Sequence, residues 1–291
     1  MLRIANNGGI MDIFGRMKAL NVHGLSIACF DDNGISLNKQ FGVLERDTGK
    51  VVDGDSVFHA CSISKMVTAL CVLRLAQNGL LDLHKDVGGG ITLANLLAHQ
   101  GGYCDDYGGI KFAPETDFEY SDLGYSRVAE IVKEALGEDI AQIAGQLLFK
   151  PMGLKRTFFW DNLPDGLMLE ECAVGHDKNG DIVPEIRMVY PNTEGAGLWT
   201  TPTELAMIAR EITKHEKVML TPYRYDEIGL GVFLTKDGFY SQGWGIGMQC
   251  KLEVNFKRQS GIVVMMNCEP GVEQDKSLIG EIIRWGESRV W

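Results

Sequence analysis

No stretch of the 291 residues approaches 18 consecutive apolar side chains, so no segment is read as crossing a bilayer. Paired cysteine motifs are missing as well. The seven cysteines, at positions 29, 61, 71, 104, 172, 250 and 268, are odd in number and form no C-x-x-C. Such scattered thiols argue against a disulfide framework and for a reducing compartment. Cys61, Cys71, Cys250 and Cys268 stand in apolar runs, where free cysteine packs as a small hydrophobe. Positive charge is scarce: 28 Lys+Arg against 39 Asp+Glu leaves a formal charge of -11. That balance excludes nucleic acid as a partner and disfavours an anionic membrane surface. The six histidines show no metal-ligand spacing, and Gly88-Gly89-Gly90 lacks the lysine and hydroxyl of a phosphate loop, so no metal or cofactor is implied. The first 20 residues also lack the apolar core and small-residue cleavage site of a secretory signal. The expectation is a cytoplasmic protein, or an extracytoplasmic one if a leader has been removed.

What is present suits a soluble globular chain: 45% hydrophobic and 23% charged residues, in a length that fits one large domain or two interleaved ones. Ile10, Met11, Ile13, Phe14, Met17 and Leu20 recur at helical spacing, which predicts an amphipathic helix over 9–20. GLSIACF, the turn DDNG and ISLNKQFGVL predict a β-hairpin, with Asn33 and Gly34 supplying positive φ. Residues 62–78 are nearly all apolar from Met66 to Leu73 and predict a buried helix capped by Gly79. Helices are expected over 92–98, 122–136, 139–149 and 202–214. Near the end, GLGVFLT, GWGIGMQCKLEV and SGIVVMMNC read as three strands, and KSLIGEIIRWGESRVW as a closing helix. Strands at both ends and helices between them predict an α+β fold. An antiparallel sheet is built from 1–80 and 200–291, flanked by helices, with a mostly helical lobe from 81–199.

Ser-x-x-Lys occurs twice. Ser36 and Lys39 fall in the second hairpin strand, where an odd offset sends side chains to opposite faces. Ser62 and Lys65 open a helix, where the same offset places both on one face. A serine hydroxyl is a poor nucleophile until a neighbouring base takes its proton, and a desolvated lysine can be that base. The helix start adds free N–H groups and the positive end of the macrodipole. Taken alone, the pair reads more readily as a capping serine and a snorkelling lysine. Gly24-Leu25-Ser26-Ile27-Ala28, one residue short of a nucleophile elbow, lies within a strand and is set aside.

The surroundings of Ser62 are more specific. DTGKVVDGDSVFHACSISKMVTA resembles the active-serine segment of the class C β-lactamase and D-alanyl-D-alanine peptidase family, which includes related esterases. ITLANLLAHQGG resembles the family's T-x-x-x-L-L-x-H-x-S-G segment, with Gly101 where serine is usual. FAPETDFEYSDLGYSRVAEIV resembles the segment bearing its second motif, usually Tyr-Ser-Asn. LLFKPMGLKRTFF and GAGLWTTPTELA match two further segments, and YSQGWGIGMQC falls where His-x-Gly or Lys-Thr-Gly is usual. The matches are collinear from about residue 40 to 270.

The resemblance implies a serine hydrolase working through an acyl-enzyme on Ser62, with Lys65 helping to deprotonate it and Tyr120 shuttling a proton. It implies an oxyanion hole from the N–H groups of Ser62 and Trp244, the latter following Gly243. His99 would order the loop it precedes. His59 reads as packed in a strand, and Tyr103, Asp105, Asp106 and Tyr107 would line the cleft rim. Two departures bear on chemistry. Asp122 replaces asparagine, and a carboxylate only accepts hydrogen bonds, so it would hold Lys65 as a cation or act as a helix N-cap. Ser241-Gln242 replaces the usual cation-bearing motif, which favours a neutral ester or amide over a substrate carboxylate. The expected partner is a small-molecule or peptide substrate, in the order small esters, amides or D-residue peptides, then β-lactams. The alternative is a binding or sensor protein that keeps the cleft without turnover.

Overall fold

A computed structural model describes residues 12–160, 162–183, 192–245 and 247–287. Helix α1, Ile13–Ala19, lies within the amphipathic segment, with Asp12 as its N-cap; residues 9–11 lie outside the described residues. Strands β1 (Gly24–Asp31) and β2 (Gly34–Gly42) form the hairpin. Gly34 takes a positive φ of 136°. Asn33 does not; its N–H donates to the Asp31 carboxylate at 2.7 Å. After β3 (Phe58–His59), a 3-10 turn over Cys61–Ile63 runs directly into α2, Ser64–Gln77. Thus Ser62 sits in that turn, two residues ahead of the first residue of the α-helix expected to begin with it.

The middle of the chain follows with α3 (Leu93–Leu97), β4 (Tyr103–Cys104), β5 (Gly109–Ile110), α4 (Asp122–Leu136) and α5 (Ile140–Ala144). Helix α5 continues into a π-helical turn, Gly145–Phe149, which accounts for the longer helix expected there. Then come β6 (Phe158–Phe159), α6 (Thr193–Ala196), β7 (Leu198–Thr200) and α7 (Pro202–His215). The final segment holds β8 (Phe233–Thr235), β9 (Gly238–Gly245), β10 (Met248–Asn255), β11 (Ser260–Met266) and α8 (Leu278–Glu287). GWGIGMQCKLEV is therefore a hairpin rather than one strand. The chain reverses between Gly245 (φ 149°) and Gly247 (φ 68°), conformations that glycine adopts without strain.

The main sheet is antiparallel in the order β2-β1-β11-β10-β9-β8, so the two chain ends are joined by β1 against β11, with Leu25 opposite Met266. Alternation inside continuous apolar runs explains why both strands are buried on both faces. Leu25, Ile27 and Cys29 of β1, with Ile262, Val264 and Met266 of β11, pack against α1 and α8 through Ile13, Met17, Leu278, Ile279 and Ile282. Ala28, Phe30, Val263 and Met265 point the other way, into the large core built on α2 and α7. Helix α2 is buried from Ser64 through Leu73, as its unbroken apolar run demands. It packs against α5 and α6, while α7 packs on the main sheet. Two small sheets, β3-β7-β6 and β4-β5, complete the strands. No helix among the described residues is long and apolar enough to cross a membrane.

Candidate active site

The backbone under Ser62 is clamped from several sides. Ala60 N–H donates to the Leu198 carbonyl at 2.8 Å, and Ile63 N–H to the Ala60 carbonyl at 3.1 Å. The buried hydroxyl of Ser64 donates to Cys61 O at 2.6 Å and accepts from Leu198 N–H at 2.9 Å. Cys61 carries a φ of 48°, rare for a side-chain-bearing residue. These bonds present Ser62, half-buried, at the end of α2 nearest the sheet.

Lys65 follows on the same face. Its side chain is 3% exposed, and its Nζ lies 3.4 Å from Ser62 Oγ, 3.0 Å from the Gly195 carbonyl and 2.5 Å from Asp122 Oδ1. The ammonium also stands 4.8 Å from the centre of the Tyr120 ring. Burial pulls the Lys65 pKa down, but Tyr120 and Asp122 outweigh it and hold the group above its ordinary value. Lys65 is a cation at neutral pH.

Asp122 is the first residue of α4, and the cap is its neighbour. Ser121 Oγ accepts from Gly124 N–H at 3.1 Å, so the expected N-cap role of Asp122 belongs to Ser121. A second carboxylate completes that end: Asp105 accepts from Ser121 Oγ (2.9 Å), Asp122 N–H (2.8 Å) and Leu123 N–H (2.9 Å). Burial opposes its charge, yet these donors hold the Asp105 carboxyl below its usual range. Asp105, expected at the cleft rim, thus anchors the helix that delivers Asp122.

Tyr120 is set by His99, whose Nδ1 accepts from Ser121 N–H at 3.1 Å and whose carbonyl accepts from Glu119 N–H at 3.0 Å. The rings of His99 and Tyr120 lie 4.4 Å apart. Burial, and then the nearby Lys65 charge, drive the His99 pKa down to about 3, so this imidazole stays neutral and acts as a prop. Leu97, Ile228, Val232 and Phe233 form an apolar wall facing Ser62, Lys65 and Tyr120. Phe233 stacks between Tyr120 (6.4 Å, 17°) and Tyr240 (5.1 Å, 19°).

Strand β9 closes the opposite side. Ser241 is buried, Gln242 half-buried and Trp244 41% exposed. Gly243 has no room for a side chain: a Cβ there would lie 2.3 Å from Ala60 O and 2.8 Å from both Cys61 Cβ and Cys250 Sγ. That contact lets β9 run against the turn bearing Ser62, with the Gly243 carbonyl tied by Gln274 Nε2 at 2.9 Å. Ser62, Lys65, Tyr120, Ser241 and Gln242 line one cleft, with Asp122 paired to its lysine and Gly243 packed behind Ser62. Among the described residues no cluster of three His, Cys, Asp or Glu side chains is arranged to hold a metal.

The profile of the family described as Beta-lactamase matches residues 12–283. The chain belongs to the beta-lactamase family. Penicillin-binding protein 4 of Amycolatopsis lactamdurans is 26% identical over 190 residues, 54% of this chain and 49% of that protein. The chain therefore spans about half the length of that relative. Among solved structures, D-alanine carboxypeptidase AmpC from Burkholderia cenocepacia superposes with a TM-score of 0.76 at 22% identity, over 88% of this chain and 92% of that one. The beta-lactamase/D-alanine carboxypeptidase from Pseudomonas syringae gives 0.77 at 18% identity, over 94% and 96%. The fold is that of the β-lactamase/transpeptidase group, and the family is one of serine hydrolases.

Three parts of this beta-lactamase-family site carried no sequence signal. The Gly195 carbonyl that receives Lys65 is a backbone group. Asp105 reaches its partners across a loop. Phe233 is an ordinary strand aromatic until the fold lays it beside Tyr120.

Proposed function

We propose that this chain is a serine acyl hydrolase. Ser62 attacks a substrate carbonyl, an acyl-enzyme forms, and water releases it. The observation that carries this reading is the buried Lys65 ammonium 3.4 Å from the Ser62 hydroxyl, in a cleft shared with Tyr120. Because Asp122 holds Lys65 charged, the Ser62 proton passes to the Tyr120 oxygen as Tyr120 gives its own proton to the leaving group, and Lys65 supplies the positive field that favours the transfer. The N–H groups of Ser62 and Trp244 receive the developing oxyanion, a donor of this kind contributing about 3–4 kcal/mol.

Substrate preference follows from the walls. Ser241 and Gln242 offer neutral hydrogen-bonding groups, Phe233, Val232 and Ile228 an apolar surface, and the lining cation Lys65 is already paired. These features support a neutral ester with an apolar acyl group first, then amides or D-residue peptides, with β-lactams last. The short Lys65–Asp122 contact also favours a second reading, a binding protein that retains the cleft without turnover.

Intact-mass measurement after treatment with a fluorophosphonate decides between them. The hydrolase reading expects one adduct on Ser62 and nitrophenyl-ester hydrolysis that disappears in Ser62→Ala. No adduct, with no Ser62-dependent hydrolysis, leaves the binding protein.

A further inference from the structure

Directly behind the nucleophile lies a buried group that acyl transfer does not use. Cys61, 2% exposed, places its Sγ 3.4 Å from His59 Nδ1 and 3.5 Å from the Gly245 carbonyl. His59 is itself anchored through Nε2 to the Ala196 carbonyl. From the other side comes Cys250 of β10, paired in register with Gly243 of β9 and fully buried. Its thiol donates to the Ala60 carbonyl at 2.9 Å, and its sulfur neighbours Cys61 across the Gly243 backbone. The two cysteines meet because position 243 has no side chain: a Cβ there would stand 2.8 Å from Cys250 Sγ and from Cys61 Cβ alike.

The two sulfurs are not equivalent. The hydrogen bond from Cys250 outweighs burial and, with His59, brings the Cys61 thiol down to about 5. Burial pushes Cys250 up, so it keeps its proton. Cys61 is the more acidic member of the pair and Cys250 the less acidic one. All seven cysteines are free thiols in this structure.

We propose that Cys61 and Cys250 are a hydroperoxide-responsive pair that closes into a disulfide behind Ser62. The Cys61 thiolate attacks the terminal peroxide oxygen. The O–O bond breaks, and the departing alkoxide or hydroxide takes a proton from His59. Cys250 sulfur then attacks the Cys61 sulfenic sulfur; the S–S bond forms, the S–O bond breaks, and hydroxide leaves with the Cys250 proton as water. In total two thiols are oxidised and one hydroperoxide is reduced to an alcohol or water.

The bond has a geometric consequence. The neighbouring sulfur atoms must close to about 2.05 Å, which draws Cys61 toward β10 and carries Ser62 with it. A displacement of about 1 Å can lower an acyl-transfer rate by about 100-fold. On the hydrolase reading of Ser62, oxidation therefore slows its acylation by at least about tenfold.

The test uses the whole protein, hydrogen peroxide, alkylation of remaining thiols with iodoacetamide, and peptide mass mapping. The expected result is a linked Cys61–Cys250 peptide pair with the other five cysteines alkylated, which dithiothreitol reverses. Cys250→Ser is expected to form no link and to accumulate a dimedone-reactive sulfenic acid on Cys61. If that variant does not fold, the wild-type map decides alone. Seven alkylated thiols, or a link between any other pair, overturn the proposal. Fluorophosphonate labelling of Ser62 before and after oxidation is read separately. Unchanged labelling in linked protein refutes the effect on Ser62, while a reduced protein that never labels refutes the hydrolase reading and leaves the disulfide map to stand or fall.

Discussion

Lys65 Nζ is closer to Asp122 Oδ1, at 2.5 Å, than to Ser62 Oγ, at 3.4 Å. The carboxylate and the reaction centre compete for one ammonium. Asp122→Asn removes the stronger claim, leaves an amide of the same shape, and frees Lys65 to act on Ser62 and Tyr120. Burst measurement with a nitrophenyl ester is expected to show acylation faster by about tenfold, a fraction of the roughly 100- to 10,000-fold that general acid–base assistance provides. Because part of what holds the Lys65 pKa up is lost, the alkaline fall of the acylation rate, where Lys65 loses the charge that favours the transfer, moves to lower pH. A slower burst in Asp122→Asn would show that the carboxylate assists the chemistry.

Gly243→Ala is expected to destabilise the protein and suppress Ser62 labelling together. The new methyl meets the Ala60 carbonyl oxygen at 2.3 Å, a backbone atom that cannot yield without moving the nucleophile's turn. Overpacking of this kind costs about 1–3 kcal/mol, or a melting temperature lower by about 2–5 °C. Gly109→Ala is the control, since nothing lies within 4 Å of its added methyl. Equal melting temperatures for the two variants would contradict the close approach at Gly243.

The Asp105 carboxyl, held below its usual range, contributes stability that is fully present above the unfolded carboxylate pKa of about 4 and lost as pH falls through the lower folded value. Asp105→Asn is therefore expected to melt below wild type at pH 6, by a capping contribution of about 1 kcal/mol. The gap narrows below about pH 4 as the wild-type charge is neutralised. Thermal melts from pH 6 down to pH 3 check it; a constant gap would remove the charge from the account.

Phe233→Ala opens the apolar wall. Bulky acyl groups should gain relative to acetyl by about tenfold in kcat/KM, since a methylene in an apolar pocket is worth about 1–3 kcal/mol. Acetyl hydrolysis should fall in absolute terms because Tyr120 loses its stacking partner. A matched series of acetyl, butanoyl and hexanoyl nitrophenyl esters reads both effects. An unchanged chain-length preference would place the acyl group elsewhere.

Periodicity made much of this molecule legible. The β1–β2 hairpin, the all-buried α2 and the closing α8 were visible as apolar patterns, and the Ser62–Lys65 pair as a three-residue offset in helical context. The turn between β9 and β10 escaped because the stretch GWGIGM carries no polar residue to mark a turn. The roles of Ser121 and Asp122 were hard to separate, because adjacent capping types differ only in where the helix starts. Asp105 lies 17 residues from the Asp122 N–H it holds, and no periodic signal spans a loop of that kind. Gly195 contributes a carbonyl, and every residue has one.

The pairing of Leu25 with Met266 sets a schedule for synthesis. At about 5–20 residues per second, β1 leaves the ribosome roughly 12–50 s before the strand that covers its inner edge. Throughout that interval the hairpin presents an apolar ribbon with one unpaired side, the kind of edge that captures other strands. Tyr120 and Gly243 emerge inside the same window, so the cleft around Ser62 is among the last features to exist. A nascent chain lacking β11 offers exposed sheet in place of a closed cleft.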